Sequence, residues 1–196
     1  MDIEIRKLTS ELAEDYARFF DRTPHDDNID EHKCYCVCWC NDDCEGKDFS
    51  SAEKRRDWAV RYVQNGNIQG YLAYCKDEIV GWCNANTKSD CLQCESWRRF
   101  MGYVPLEEPD AGLKVKSVFC FVIAPEMKRK GIATRLLERV CEDARKNGFD
   151  FAEAYPYRGF GDPSSDFRGH FAMYRNFGFT VYHEGEQGLV MRKPLT

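Results

Sequence analysis

Residues 121–137 read FVIAPEMKRKGIATRLL. A β-branched and aromatic run precedes a basic, glycine-containing turn and then apolar residues at helical spacing, which predicts a strand, a turn and an amphipathic helix. Backbone N–H groups at a helix start suit a pyrophosphate, because they lack partners within the helix and face the positive end of its dipole. Gly131 and Ala133 let the backbone approach such an anion, and the basic residues 128–130 add a favourable field. The stretch therefore predicts an anion-binding turn, although a basic turn in an ordinary strand-to-helix connection has the same pattern.

The chain around this unit predicts further strands and helices in the order β-α-α-β-β-β-α-β-α-β-β. The predicted strands are 3–8, 70–75, 79–86, 115–123, 149–155, 179–183 and 189–192. The predicted helices are one capped by Ser10 that stops before Pro24, one opened by a Ser50 and Glu53 capping box, one from Gly131 to Asn147 and one from about Phe167 to Asn176. Residues 87–112 show no clear period, and residues 23–49 predict a long functional or metal-bound loop.

Composition limits the function classes. The chain has 196 residues, of which 43% are hydrophobic, and a formal charge of −5, which fits one compact domain. No apolar run approaches the roughly 20 residues that span a bilayer, and the first ten residues do not form a signal-peptide core, so we expect a cytoplasmic protein with no membrane partner. With a pI near 5.5, the chain lacks the excess of basic residues that is typical of proteins that bind the phosphates of nucleic acids, so we expect no nucleic-acid partner.

Two motifs carry a resemblance to a known family. Residues 123–133 resemble motif A of the GNAT acetyltransferases, Val-x-Pro, three residues and then Arg/Gln-x-x-Gly-x-Gly/Ala, with Lys128 as the one departure. Residues 173–179 are similar to the Leu-Tyr-x-x-x-Gly-Phe ending of the family's last helix. The order of predicted elements also matches, so the resemblance covers nearly the whole chain.

The resemblance implies a fold. It is a single GNAT-type domain of the α/β (α+β) class: a mixed, mostly antiparallel sheet of six to seven strands, splayed at the central strands by a bulge and flanked by about four helices. Residues 1–112, with the loop 23–49, would form the acceptor-side half, and residues 113–196 the half that binds acetyl-CoA.

The resemblance also implies the residues that bind acetyl-CoA. Backbone groups of Phe121, Val122 and Ile123 would pair with the pantetheine arm as a pseudo-strand. The pyrophosphate would lie against Arg129, Lys130, Gly131, Ile132, Ala133 and Thr134. Many members carry Asn seven residues before the tyrosine of the last helix, whereas this chain has Phe167, so Asp166 or Arg168 would have to supply that hydrogen bond.

Acetyl transfer to an amine needs a base for the amine proton, a donor for the carbonyl oxygen and an acid for the leaving thiolate. Glu153 is our candidate base, because several family members place a catalytic Glu on this strand; a solvent-exposed carboxylate at a strand edge is the alternative. Its rivals are His170, Asp162 and Asp166. Tyr174 is our candidate acid, since in the family this residue lies beside the CoA sulfur, although a packed aromatic side chain has the same spacing. The donor to the carbonyl would be a backbone N–H of the central strand, for which we predict Val122.

Cysteines occupy alternate positions in the loop at residues 23–49, here called the Cys-rich loop. Cys34, Cys36, Cys38 and Cys40 occupy every second position and Cys44 follows, so an extended chain would turn the first four thiols the same way. One interpretation is a zinc site at Cys34–Cys44 with His32 or the Cys91 and Cys94 pair, and another is a redox sensor. We prefer a third, small buried side chains lining an acceptor pocket, and so expect no metal. Other GNAT-like proteins of unassigned substrate carry a similar Cys-Tyr-Cys stretch and a Gly-Trp-Cys-Asn strand, here Gly81 to Asn84, which also implies the acceptor side.

The predicted activity is an acetyl-CoA-dependent N-acetyltransferase that acts on a primary amine of a small molecule by direct attack on the thioester. One alternative is a protein N-terminal or lysine acetyltransferase, but residues 87–112 would wall off the open groove that a peptide needs. The other is a non-catalytic regulator that binds CoA or a metal on the same scaffold. We expect a monomer or a homodimer.

Overall fold

One twisted sheet carries all seven strands of the described chain, in the order β1-β2-β3-β4-β5-β7-β6. The structure is a computed structural model, and it describes residues 2–105, 108, 112–157, 167–185 and 188–195. The strands are β1 Ile3–Lys7, β2 Gly70–Cys75, β3 Glu78–Thr87, β4 Val115–Ile123, β5 Phe151–Ala154, β6 Thr180–Gly185 and β7 Gly188–Pro194. Only the β4 and β5 pairing is parallel, and every other neighbouring pair is antiparallel. The predicted mixed, mostly antiparallel sheet is confirmed.

Helices flank the sheet. They are α1 Ala13–Arg22, α2 Ala52–Gln64, α3 Lys88–Cys91, α4 Glu95–Phe100, α5 Ile132–Lys146 and α6 Phe171–Asn176. Short 3-10 turns add Ser10–Leu12, Asp30–His32 and Pro125–Met127. The helices α3 and α4 lie in the segment in which the sequence showed no period. They have four and six residues, which are too few for a helical period to be visible. The last helix begins at Phe171 and not near Phe167.

Two predicted helix caps are wrong. Ser51, not Ser50, is the N-cap residue of α2, and its side chain accepts a hydrogen bond from the Lys54 N–H at 3.2 Å. Ser10 opens a 3-10 turn and makes no side-chain capping bond to α1. Both helices still bury their apolar face, so packing and not the cap decides where they lie.

The sheet opens at β4. A bulge places Phe119 as the extra residue, since Cys120 pairs with Asn84 and Val118 pairs with Ala85. On its other side β4 pairs with β5 only from Val115 to Val118. Residues 119–123 therefore keep β3 as a neighbour while β5 has ended, which is the predicted splay between central strands.

The helix α5 packs on the sheet against β1, β2, β3 and β4. It buries one stripe of side chains against the sheet: Ile132, Leu136, Leu137, Val140, Cys141 and Ala144. This is the apolar face that the 3.6-residue period predicts. Among the described residues, no helix combines the length and the apolar character needed to cross a membrane.

Candidate active site

The turn before α5 presents free backbone donors to solvent. Gly131 is the N-cap residue in the left-handed conformation with φ 77°, and a Cβ built on it meets no atom within 4 Å. The first bond of the helix runs from the Arg135 N–H to the Gly131 carbonyl at 3.1 Å. The amides of Ile132, Ala133 and Thr134 therefore precede the helical ladder and have no partner in it. The turn is open, and its donor set suits a pyrophosphate.

Basic side chains surround the turn. Lys128, Arg129 and Lys130 are all exposed, and Arg129 itself lies in the left-handed region with φ 61°. The Lys128 ammonium lies 3.6 Å from an Asp26 carboxylate oxygen, at the start of the Cys-rich loop. Exposed cations this close to free helix amides increase the attraction for an anion.

The open edge of β4 presents alternate backbone groups. The Ala124 N–H donates to the Val80 carbonyl at 3.0 Å, toward β3. Since donors alternate along an antiparallel pair, the Val122 N–H also faces β3. The N–H groups of Phe121 and Ile123 then face the opened side. The register thus favours these two residues over Val122 as hydrogen-bond donors to a ligand in the cleft.

Tyr174 lies on α6 with a fully buried side chain. Its hydroxyl donates to the Arg168 carbonyl at 2.8 Å, and Gly169 leaves it room, since a Cβ there would lie 2.9 Å from the phenol oxygen. Burial raises the pKa of Tyr174 well above its usual value. The phenol is therefore protonated at neutral pH and can only act as a proton donor.

Glu153 is completely buried and is not a solvent-exposed carboxylate at a strand edge. Its carboxylate lies 2.5 Å from Nε of Arg192 and 3.1 Å from Nζ of Lys88, and it accepts a hydrogen bond from the Tyr155 hydroxyl at 2.8 Å. Glu108 contacts the same two cations at 2.7 and 2.9 Å. Two carboxylates and two cations thus form a balanced buried cluster.

Sequence reasoning did not identify the partners of Glu153. Lys88 begins α3, in a segment without visible period, and Arg192 follows three apolar residues of β7 and precedes Lys193, so no local pattern marks it as buried. Of the rivals for the base, His170 is exposed at the start of α6, while Asp162 and Asp166 lie outside the described residues. The guanidinium of Arg168 lies 4.5 Å from the ring centre of Tyr157.

The bulge at Phe119 is covered from the acceptor side. The Trp39 ring, from the Cys-rich loop, stacks on Phe119 with ring centres 3.8 Å apart, and Trp97 of α4 lies 5.9 Å from the same ring. The Asn84 amide donates to the Trp39 carbonyl at 2.8 Å, so β3 fixes the loop. The Gly81 to Asn84 strand thus contacts the Cys-rich loop, and the place of both beside the acceptor stays a prediction.

The Cys-rich loop is not extended, so its thiols do not face one way. Tyr35 and Cys36 have φ values of 46° and 54°, which turn the chain between the alternating cysteines. The Cys36 sulfur accepts from the Trp82 indole N–H at 3.4 Å, whereas Cys40 lies against Cys44 with sulfurs 3.7 Å apart. Left-handed backbone in the turn therefore overrides the period-two pattern.

Three thiols from two segments meet. The sulfurs of Cys40, Cys44 and Cys94 lie within 4.8 Å of one another. Cys91 is not in this group. His32 lies instead with Asp27, its Nδ1 2.6 Å from a carboxylate oxygen. Of the additional zinc ligands that the sequence suggested, Cys94 is the one that the structure groups with loop cysteines among the described residues.

Comparison with known proteins identifies the family. The family model described as Acetyltransferase (GNAT) family matches residues 5–179. The chain belongs to the GNAT acetyltransferase family. It is therefore an acyl-CoA-dependent N-acetyltransferase by class, as the sequence motifs predicted. A search of curated proteins finds no match.

Solved structures of GNAT proteins share the fold at low identity. A GNAT acetyltransferase from Streptococcus pneumoniae is 15% identical with a TM-score of 0.54, each chain being covered to 100%. The PaiA N-acetyltransferase from Thermoplasma acidophilum, in complex with coenzyme A, is 20% identical with a TM-score of 0.54 and 99% of each chain covered. The ribosomal-protein-S18-alanine N-acetyltransferase from Escherichia coli is 12% identical with a TM-score of 0.52, over 100% of this chain and 95% of that one. These similarities concern the fold, and the site residues stay predictions.

Proposed function

We propose that this chain transfers the acetyl group of acetyl-CoA to a primary amine of a small molecule. The observation that carries the proposal is the open turn at Gly131, whose free amides and exposed cations lie at the end of the splayed strand β4. A thioester supplies an activated acyl group, so the chain has only to hold it, orient the amine and manage protons.

The binding residues fit acetyl-CoA. Arg129, Lys130 and the amides of residues 131–134 would hold the pyrophosphate by charge and hydrogen bonding. The backbone of residues 121–123 would hold the pantetheine arm, with the N–H groups of Phe121 and Ile123 on the opened side. One of these two N–H groups is also our choice for the donor that polarises the acetyl carbonyl, in place of Val122.

Tyr174 is the proposed acid. Burial raises the pKa of Tyr174, which keeps the phenol protonated but also makes it a weaker acid, so donation requires that the leaving thiolate is desolvated as well. To donate, the hydroxyl must leave the Arg168 carbonyl, 2.8 Å away, for the sulfur. The tyrosinate then recovers a proton from solvent, and the proton that the attacking amine loses passes to the base or to water, so one proton is released for each one taken up.

The base stays a prediction. The Glu153 carboxylate already contacts Arg192 and Lys88 and accepts a hydrogen bond from the Tyr155 hydroxyl, so its oxygens have partners within the protein. These contacts favour a role for Glu153 in joining β5 to α3 and β7, and leave deprotonation of the amine to water or to another group. A stability measurement on Glu153→Gln, given in the Discussion, distinguishes the two roles.

The acceptor side favours a small amine over a peptide. Trp39 and Trp97 cover Phe119 at the bulge, where an extended peptide would otherwise approach the opened strands. The fold shared with an S18-alanine acetyltransferase keeps a protein N-terminus as the alternative acceptor. A regulator that binds CoA without turnover is the other alternative. The cytoplasmic location and the monomeric or dimeric state stay predictions.

One assay tests the function. Acetyl-CoA is incubated with a panel of amino sugars, polyamines and amino acids, and with peptides bearing a free N-terminus or lysine, and acetylated product is measured by mass. Product mass is preferred because the eleven cysteines of the chain react with thiol reagents. We expect turnover with a small amine and none with the peptides. Peptide acetylation would replace the proposed acceptor, and CoA binding without product from any amine would contradict catalysis.

A further inference from the structure

The group formed by Cys40, Cys44 and Cys94, here called the thiol triad, lies outside the acetyl-CoA site. The Cys40 and Cys44 sulfurs are 3.7 Å apart, and those of Cys44 and Cys94 are 4.0 Å apart. Cys40 and Cys94 are buried and Cys44 is partly exposed, so the group has one side toward solvent. Fifty residues of chain separate Cys44 from Cys94.

The spacing fits three ligands of one metal ion. In a tetrahedral zinc site with Zn–S bonds of about 2.3 Å, neighbouring sulfurs lie about 3.8 Å apart. A disulfide brings two sulfurs to about 2.0 Å and would leave the third without a partner. The observed separations are close to those of sulfurs that share an ion.

A hydrogen-bond donor is directed at the triad from α2. The Tyr62 hydroxyl lies 3.9 Å from the Cys44 sulfur and is directed at it as a donor. Donors around metal-bound thiolates fix their position and reduce their charge.

The loop holds these sulfurs in place before any ligand arrives. Cys44 has a φ of 66°, a conformation that non-glycine residues adopt only where the surroundings impose it. Asp42 imposes it here, because its carboxylate accepts from the Cys44 N–H at 3.0 Å and from Lys47 Nζ at 2.9 Å. On the other flank, the Asn67 amide donates to the Asn41 side chain at 2.8 Å.

We propose that the thiol triad binds one zinc ion through three thiolates, with an exchangeable fourth ligand on the exposed side of Cys44. Each thiol releases its proton to solvent as its Zn–S bond forms, and neither zinc nor sulfur changes oxidation state. The ion ties the Cys-rich loop to the segment before α4. Trp39 lies on the loop and Trp97 on α4, which begins directly after Cys94, and both cover Phe119, so zinc would fix the acceptor wall.

This proposal replaces the interpretation of these three cysteines as inert small side chains. It does not rest on the acetyltransferase proposal, because none of the three thiols belongs to the acetyl-CoA site. The loop cysteines Cys34, Cys36 and Cys38 lie outside the triad, and for them the interpretation as small side chains that line an acceptor pocket stays a prediction.

Metal binding is tested on the full chain, purified under reducing conditions and stripped of metal. Cobalt(II) is the spectroscopic probe, since thiolate ligands give intense charge-transfer bands, and zinc is then added to displace it. We expect one cobalt per chain, complete displacement by zinc, and a higher melting temperature with zinc. Absence of the thiolate band, or a thermal transition that zinc leaves unchanged, would overturn the proposal.

Two variants locate the site. Cys94→Ser removes a triad thiol, and Cys91→Ser is the matched control, a buried cysteine three positions away in the same segment. We expect Cys94→Ser to lose the band and the stabilisation by zinc, and Cys91→Ser to keep both. If Cys94→Ser does not fold, Cys44→Ser at the partly exposed position takes its place. Undiminished cobalt binding by the triad variant would overturn the proposal. So would a disulfide in the wild-type chain, which would be seen without reductant as a mass lower by two hydrogens.

Discussion

The turn at residues 128–134 and the Cys-rich loop at residues 23–49 are built in opposite ways. The turn uses backbone amides and exposed cations that are consecutive in sequence. The loop buries its side chains against β3, α2 and α4 and obtains its third thiol from residue 94. We therefore expect a site made of consecutive backbone groups to tolerate substitutions elsewhere in the molecule. A site made of distant side chains depends on every segment that supplies one of them.

The buried cluster of Lys88, Glu108, Glu153 and Arg192 is also made of side chains that are distant in sequence, so a substitution there should have the largest effect. Glu153→Gln leaves two buried cations with one carboxylate, and we expect it to lower the free energy of unfolding by about 3–5 kcal/mol. Urea unfolding measures the change. Glu138→Gln, on the exposed face of α5, is the control and should stay within about 0.5 kcal/mol of wild type.

The opposite result would assign Glu153 to catalysis. If Glu153→Gln unfolds at the wild-type urea concentration but loses turnover at saturating amine, its carboxylate acts as the base. Loss of stability together with retained turnover in the folded fraction supports the structural role.

The same contrast explains what the sequence could predict. Residues 121–137 have a strong local period and a glycine with a specific conformational role. The position of the turn and the apolar face of α5 could therefore be predicted from the sequence. The partners of Glu153 come from α3 and β7, and the thiol triad joins residue 44 to residue 94. No local pattern encodes such pairings, and the alternation of cysteines was misleading because Tyr35 and Cys36 adopt positive φ.

Gly131→Leu should remove acetyl-CoA binding. The side chain would project into the open space of the turn, so we expect affinity to fall at least 100-fold, about 2.7 kcal/mol. Gly148→Leu is a matched control, because Gly148 has a φ of 71° against 77° for Gly131 and also meets no atom within 4 Å. Both variants carry the same backbone strain, but only one faces the ligand. Isothermal titration with acetyl-CoA measures the difference, and equal losses would place the phosphates elsewhere.

Tyr174→Phe tests the chemistry while leaving the turn intact. We expect turnover to fall ten-fold or more, about 1.4 kcal/mol, with acetyl-CoA affinity unchanged, because only the proton donor is removed. The hydroxyl also binds the Arg168 carbonyl, so a stability loss of about 1 kcal/mol is expected and is measured separately. Tyr182→Phe, in the exposed strand β6, is the control. An unchanged rate with the true acceptor would remove Tyr174 from the mechanism.

Two buried lysines, Lys88 and Lys116, differ in what surrounds their charge. Lys88 is buried between two carboxylates, whereas Lys116 is buried with its ammonium 5.3 Å from the Phe149 ring centre. Burial, and then repulsion from Lys7, lowers the pKa of Lys116 from 10.5 to about 8. Below pH 8 both folded and unfolded chains hold the proton, so the penalty for burying the charge is fully present there.

Between pH 8 and 10.5 the unfolded chain holds more protons than the folded chain, so this group makes the free energy of unfolding rise with pH. Lys116→Met removes the charge, and we expect the free energy of unfolding at pH 7 to rise by about 1 kcal/mol, or about 2–4 °C in Tm. This figure is smaller than the full pKa shift implies, because the lysine side chain extends toward water. The gain should shrink toward zero as the pH approaches 10.5. Melting curves across this range measure it, with the exposed Lys114→Met as control. A gain that does not change with pH would mean that packing and not the buried charge is responsible.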